Sequence, residues 1–171
     1  MMEPDTKSMI RVDQAGEYGA TRIYAGQLAI MGSRSKAART IAGMAAQEER
    51  HLRRFNALIA ERRVRPTALQ PLWSVAGYAL GVATALMGPE AAMACTAAVE
   101  TEIDKHYADQ LRELGDSDPE LSESIADFQA EELEHKEQAL AAGAERALGY
   151  PLLSAAIRAG CRAAIQLSKR I

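Results

Sequence analysis

The strongest constraint on the fold is a spacing of acidic and imidazole side chains that occurs twice. Glu48-Glu49-Arg50-His51 and Glu132-Leu133-Glu134-His135 are matched Glu-x-x-His clusters whose histidines lie 84 residues apart. Each has a glutamate 31 or 32 residues upstream, Glu17 for the first and Glu100 for the second. The chain has only three histidines, so two of the three sit in these settings. On a helix, a three-residue step puts both side chains on one face. Four helices are therefore required, and they must converge.

The composition agrees. Alanine is abundant, aromatic residues are few, and runs of alternating β-branched residues are missing, which favours an all-α chain. Gly32-Ser33 is a helix-stop signal that ends a first helix over about 6–31, and a second runs over about 35–63. Gly115 to Pro119 separates a helix over about 89–114 from one over about 119–147, with Asp118 as N-cap and Pro119 at the first helical position. Short turns make two antiparallel hairpins, about 6–63 and 89–147, joined by a crossover over about 64–88. Gly149-Tyr150-Pro151 opens a last helix, over about 151–168. The expected architecture is a four-helix bundle with one long crossover, six helices if the crossover holds one, all in a single domain over 1–171.

Helical phase selects the glutamates that point inward, because residues seven positions away share a face. Glu17 lies between Ile10 and Tyr24, Glu48 between Ile41 and Phe55, Glu100 between Met93 and Tyr107, and Glu132 between Ile125 and Ala139. Glu49 and Glu134 point about 100° away from their cluster neighbours. Glu131 is four residues before His135, but its counterpart in the other cluster is Gln47, which favours the three-residue pair. Glu102 shares a stripe with Lys105, His106 and Asp109 that reads as solvated. Burying four carboxylates costs several kcal/mol per charge unless positive charge meets them. One Glu from each of two helices and Glu-x-x-His from each of two more is the ligand set of carboxylate-bridged di-iron bundles. Mixed oxygen and imidazole ligands suit iron or manganese. Within a cluster Glu and His grip one metal, and a neighbouring carboxylate bridges to the second.

Several readings are excluded or disfavoured. The net charge of −3 gives no basic footprint for nucleic acid. Cys95 and Cys161 are far apart, lack C-x-x-C spacing and read as buried free thiols. No GxGxxG marks a dinucleotide site. Met1 to Ser8 has no apolar signal-peptide core, consistent with a cytoplasmic setting. Residues 66 to 89 carry no charge, but Pro71 and the Gly and Ala content argue for a helix lying in a membrane interface, with Trp73 and Tyr78 at that depth. Leu152, Leu153, Ile157 and Ile165, interleaved with Arg158, Arg162, Lys169 and Arg170, suit the same anionic surface. Gly16, Gly19 and Gly26 would each cost roughly 1 kcal/mol in an exposed helix, so they imply close helix approach or substrate access near Glu17.

The string from Arg11 to Ala20, Ile23 to Gln27, Glu48 to Asn56, Ala98-Val99-Glu100, His106-Tyr107, Glu131 to His135 and Ala159 to Ile165 together resemble the demethoxyubiquinone hydroxylases over nearly the whole chain. That resemblance implies a ferritin-like bundle with iron ligands Glu17, Glu48, His51, Glu100, Glu132 and His135. It implies hydroxylation of a demethoxyubiquinol-type polyprenyl quinol by O2 in ubiquinone biosynthesis, with two iron ions per chain and electrons from NADH or the quinol. His106 and Tyr107 match the family too, either beside the metal site or as a solvent-edge His and a core Tyr. A peripheral, monotopic protein on the cytoplasmic face of a bacterial inner membrane follows, working alone, as a homodimer or in a biosynthetic complex. The competing readings are a ferritin-like iron-oxidising or storage protein and a metal-free helical scaffold for quinone or lipid.

Overall fold

Helices account for all the regular structure in the computed structural model, which describes residues 4–171. Residues 1–3, part of the stretch read above as lacking a signal-peptide core, lie outside the described residues. The elements are α1 (Thr6–Met31), α2 (Lys36–Glu61), α3 (Gln70–Leu86), α4 (Pro89–Leu114), α5 (Pro119–Ala141) and α6 (Tyr150–Arg170), with a short 3₁₀ turn at Ala144–Arg146.

Local chemistry sets the ends. The Ser35 hydroxyl caps α2 by accepting from the Ala38 amide at 3.0 Å, and the Asp118 carboxylate caps α5 by accepting from Leu121 at 3.1 Å. Gly115, at φ 50°, closes α4 with its amide on the Leu111 carbonyl. The helix expected to continue to about 147 instead stops at Ala141, because Gly143 adopts φ 97° and turns the chain out of the α-helical path. α2 likewise stops before 63, where Arg63 takes φ 51°.

Two apolar layers define the bundle. One holds Tyr24, Ile41, Met44, Met93 and Ala139; the other holds Ile10, Phe55, Tyr107, Leu121, Ile125 and Phe128. Each inward glutamate has its residue seven before in one layer and its residue seven after in the other. The order of layers is reversed between α1 and α2, and again between α4 and α5, so both hairpins are antiparallel. α3 returns the chain along the outside of α1 from the end of α2 to the start of α4. This is the all-α, ferritin-like bundle with one long crossover.

α3 lies close on α1 because glycines face each other. A Cβ on Gly26 would sit 2.3 Å from the Tyr78 carbonyl oxygen, and one on Gly81 only 2.0 Å from that of Ile23. Gly16 and Gly19 serve differently. A Cβ on Gly19 would meet nothing within 4 Å, and both residues line a cavity of about 520 Å³ between α1, α3, α4 and α6. The close approach expected of the α1 glycines is thus found at Gly26, while Gly16 and Gly19 border the cavity. α6 completes the cavity wall, and its C-terminal end is held by Arg11, which donates from Nε to the Arg65 carbonyl at 2.9 Å and from a terminal nitrogen to that of Lys169 at 3.3 Å.

Some surface expectations change. Glu102 and His106 are buried, not solvated, because α6 covers the first and Asp13 of α1 pairs with the second. Trp73 turns inward to line the cavity, its indole N–H donating to the Ser168 hydroxyl at 2.9 Å. Cys95 is buried, but Cys161 is only half-buried; both are free thiols, pushed up to about 12 chiefly by burial. No described helix is long and apolar enough to cross a membrane.

Candidate metal centre

Midway between the apolar layers, six side chains from four helices meet. Glu17 comes from α1, Glu48 and His51 from α2, Glu100 from α4, and Glu132 and His135 from α5. They form two groups, Glu17, Glu48, His51 and Glu132, and Glu48, Glu100, Glu132 and His135, each offering ligand atoms within 4.8 Å of one another. Glu48 and Glu132 belong to both groups; Glu17 and Glu100 each belong to one.

The electrostatics ask for a cation. Glu48 is 1% exposed and neither of its carboxylate oxygens has a hydrogen-bond partner, which costs on the order of 1–3 kcal/mol or more for a buried polar group. Burial, then the neighbouring charges of Glu132, Glu17 and Glu100, hold its carboxyl well above the usual range. Burial and Glu132 do the same to Glu100. Burial works against charge on His51, yet hydrogen bonds to Glu132 and Glu17 lift its imidazole to about 10. Burial would also raise Glu132, but His135 and His51 hold it down to about 2. Left to themselves, these side chains stay buried only by sharing protons. Two divalent cations would supply the same compensation, and hard oxygen donors with imidazole fit iron or manganese.

Both imidazoles turn Nδ1 inward. His51 Nδ1 lies 3.0 Å from Glu132 and 3.3 Å from Glu17, and His135 Nδ1 lies 3.0 Å from Glu132 and 3.3 Å from Glu48. Their Nε2 atoms face away, that of His51 onto Glu131 at 2.9 Å and that of His135 onto Gln47 at 2.8 Å. Phe128 stacks on the His51 ring with centroids 4.0 Å apart, fixing its plane. Glu131 also pairs with Arg50; burial raises its carboxyl, but His51 and Arg50 together bring it below the ordinary value.

Two tyrosines brace the glutamates crosswise. Tyr24 donates to Glu100 at 3.1 Å, and Tyr107 donates to Glu17. The structure therefore brings Tyr107 to the cluster, whereas His106 faces away and holds buried Asp13 at 2.9 Å, with Gln110 on the same oxygen. Burial raises the Asp13 carboxyl despite His106. Tyr24, Gln47 and Glu131 escaped the sequence reading. The signal was present: 83 positions separate Tyr24 from Tyr107 as they separate Glu17 from Glu100, and 84 separate Gln47 from Glu131 as they separate Glu48 from Glu132. The interval already pairs Gln47 with Glu131 in the sequence; what it does not show is that each holds the other cluster's histidine.

The apolar cavity lies beside this centre: its lining includes Gly16 and Val99, next in sequence to Glu17 and Glu100. A narrower void bounded by Tyr24, Thr96 and Glu100 shares Ala20, Ile23 and Val99 with it.

Comparison with known proteins points the same way. A 3-demethoxyubiquinol 3-hydroxylase of Rhodospirillum rubrum is 54% identical over 162 residues, covering 95% of this chain and 76% of that protein. The mitochondrial NADPH-dependent 3-demethoxyubiquinone 3-hydroxylase of Homo sapiens is 53% identical over 167 residues, with 95% and 76% covered. The mitochondrial 5-demethoxyubiquinone hydroxylase of Saccharomyces cerevisiae is 41% identical over 179 residues, with 95% and 77% covered. The sequence profile described as "Ubiquinone biosynthesis protein COQ7" matches residues 4–168, and with two crossed ligand groups at the centre of a bundle of this topology, the chain belongs to that family.

Proposed function

We propose that the chain is an O2-dependent demethoxyubiquinol monooxygenase, hydroxylating the ring of a polyprenyl quinol in ubiquinone biosynthesis at a centre of two iron ions. Glu17, Glu48, His51, Glu100, Glu132 and His135 would hold the metals, with Glu48 and Glu132 common to both ligand groups. The observation that carries this reading is Glu48, buried at the junction of both ligand groups with neither oxygen in a hydrogen bond. Residues 1–171 would work as one domain.

Iron bound there supplies the activation of O2, which protein side chains cannot perform. The remaining work belongs to the chain. The outward Nε2 contacts leave each Nδ1 lone pair aimed at the centre, and the Tyr24 and Tyr107 hydroxyls fix one oxygen each of Glu100 and Glu17. The apolar walls between α1, α3, α4 and α6 receive the polyprenyl tail and keep water from the ring. One oxygen atom of O2 enters a ring C–H and the other leaves as water, which consumes two electrons and two protons. A reduced nicotinamide or a second quinol supplies the electrons; the name of the human relative specifies NADPH, where the resemblance left NADH and the quinol open.

The quinol reaches the cavity from a membrane surface. On α3, Leu72, Val75 and Leu86 are 53%, 71% and 69% exposed, and Leu152 at the start of α6 is 79% exposed. These side chains form an apolar outer face beside the cavity, suited to a peripheral protein on the cytoplasmic side of a bacterial inner membrane or to a second copy or biosynthetic partner.

Anaerobic loading with ferrous iron, followed by a demethoxyubiquinol analogue and isotopically labelled O2, tests the proposal. Labelled oxygen in the quinol and two irons per chain are expected. Iron oxidation without hydroxylated product would favour a ferritin-like oxidase instead.

A further inference from the structure

The inner side chains obey an exchange rule with one exception. Tyr24, seven residues after Glu17, braces Glu100, and Tyr107, seven after Glu100, braces Glu17. In the same way the residue just before each cluster glutamate holds the other cluster's histidine: Glu131 takes His51 Nε2, and Gln47 takes His135 Nε2. Tyrosine matches tyrosine, but carboxylate is matched by amide. This is the only place where the chemistry of the two contacts differs within the exchanged set.

The difference acts through the ring. A carboxylate accepting from Nε2–H pulls that proton toward itself and pushes electron density onto Nδ1, the atom that faces the metal groups; a neutral amide oxygen does so far less. Arg50 shares Glu131, which tempers the carboxylate but leaves its second oxygen on His51. Gln47 has no charge to offer His135. Both partners are only half-buried, so neither is required by the packing of the apolar layers.

We infer that Glu131 and Gln47 make the two metal positions unequal, the group containing His51 binding its cation more tightly and filling before the group containing His135. This rests on the metal-centre reading above. Glu131 and Gln47 are positioning residues, acting on the metal only through the histidines.

Anaerobic titration of the metal-free protein with Co(II), followed by visible absorption and calorimetry, tests it without any hydroxylation assay. Two resolved steps are expected in the unaltered chain. Glu131→Gln should weaken the tight step by about 10- to 100-fold, and Gln47→Glu should tighten the weak one by a similar factor. The double swap Gln47→Glu/Glu131→Gln should restore two separated steps with the order of the histidine positions exchanged, read from the ligand-field bands. Arg50→Gln removes the same surface ion pair while keeping the carboxylate on His51, so it should leave the tight step as strong or stronger. If Arg50→Gln and Glu131→Gln weaken binding alike, or if both single swaps titrate like the parent, the inference is overturned while the metal centre stands. If the parent binds no Co(II), the metal centre itself falls.

Discussion

The two hairpins carry the same Glu and Glu-x-x-His residues at nearly the same spacing, yet these live in different surroundings. In the second, every residue from Ala91 to Glu100 is buried, because α4 is enclosed by α1, α3, α5 and α6. In the first, α2 shows the ordinary alternation of an amphipathic helix, with Met44, Glu48, His51 and Phe55 inward and Glu49, Arg50 and Arg53 in solvent. The small residues of α4, among them Ala91, Ala92, Ala94, Ala97 and Ala98, admit neighbours on all sides, while α2 packs mainly on α1 and α5. Duplicated ligands thus do not imply duplicated environments. α4 adjoins the apolar cavity; α2 closes the Glu and His cluster from another side.

The largest effect should come from breaking what the hairpins share. Glu48→Ala removes a carboxylate common to both ligand groups, so metal binding at both should fall by more than about 100-fold, exceeding the usual cost of an outer partner, and hydroxylation should vanish. Glu17→Ala, which touches one group, should retain one metal per chain by equilibrium dialysis. Equal losses in the two variants would contradict the sharing. Metal-free Glu48→Leu should also be more stable than the parent by about 1–3 kcal/mol in urea unfolding, since a buried, unpartnered carboxylate is replaced by an apolar side chain.

Next comes the packing that separates helix contact from cavity. Gly26→Ala drives a methyl against the Tyr78 carbonyl and should destabilise by about 1–3 kcal/mol. Gly19→Ala points into open space and should be neutral or stabilising by up to about 1 kcal/mol. Gly19→Leu, which fills that space, should raise KM for the quinol with metal content unchanged. A destabilised Gly19→Ala would show that the cavity closes in solution.

Smaller still is the test of crossed bracing. Tyr24→Phe and Tyr107→Phe each delete one hydroxyl donor to a glutamate, worth about 1 kcal/mol, and should lower kcat by comparable few-fold amounts. A disparity above about tenfold would mean that one tyrosine does more than hold its carboxylate.

The smallest effect lies far from the metals, where the hairpins meet at Arg62 and Asp118. The Arg62 guanidinium holds the Asp118 carboxyl below the usual carboxylate range, aided by the Leu121 amide and opposed by burial. A lowered folded value contributes stability that is full above the unfolded value of about 3.9 and is lost as pH falls through the folded one. Asp118→Ala should cost about 1 kcal/mol at neutral pH, mostly as a lost N-cap, and should flatten the acid limb below about pH 4. An unchanged acid limb would show that the pair is solvent-screened.

How much of this was legible beforehand follows from the physics of each element. Helix phase depends only on 3.6-residue periodicity, so the six inward Glu and His side chains and the residues seven away from the glutamates could be read directly, and all eight of those flanking residues are buried. Caps and glycine stops placed α1 and α4 to the residue. The end of α5 was misplaced because Gly143, unlike Gly32 and Gly115, is followed by helix-forming residues, Ala144-Glu145-Arg146, and not by turn formers. Glu102 and His106 were misread as solvated because their covers, α6 and Asp13, come from distant segments that periodicity cannot pair. The bracing by Tyr24, Gln47 and Glu131 crosses between hairpins; the repeat interval paired Gln47 with Glu131 only to set Glu131 aside as a ligand, and it was not carried to the tyrosines.

The most direct test is anomalous diffraction from crystals of the chain soaked with ferrous iron under anaerobic conditions. Two peaks are expected, both contacted by Glu48 and Glu132, one also by Glu17 and His51 Nδ1 and the other by Glu100 and His135 Nδ1. A single peak, no peak, or a metal held by Glu131 would contradict the centre described.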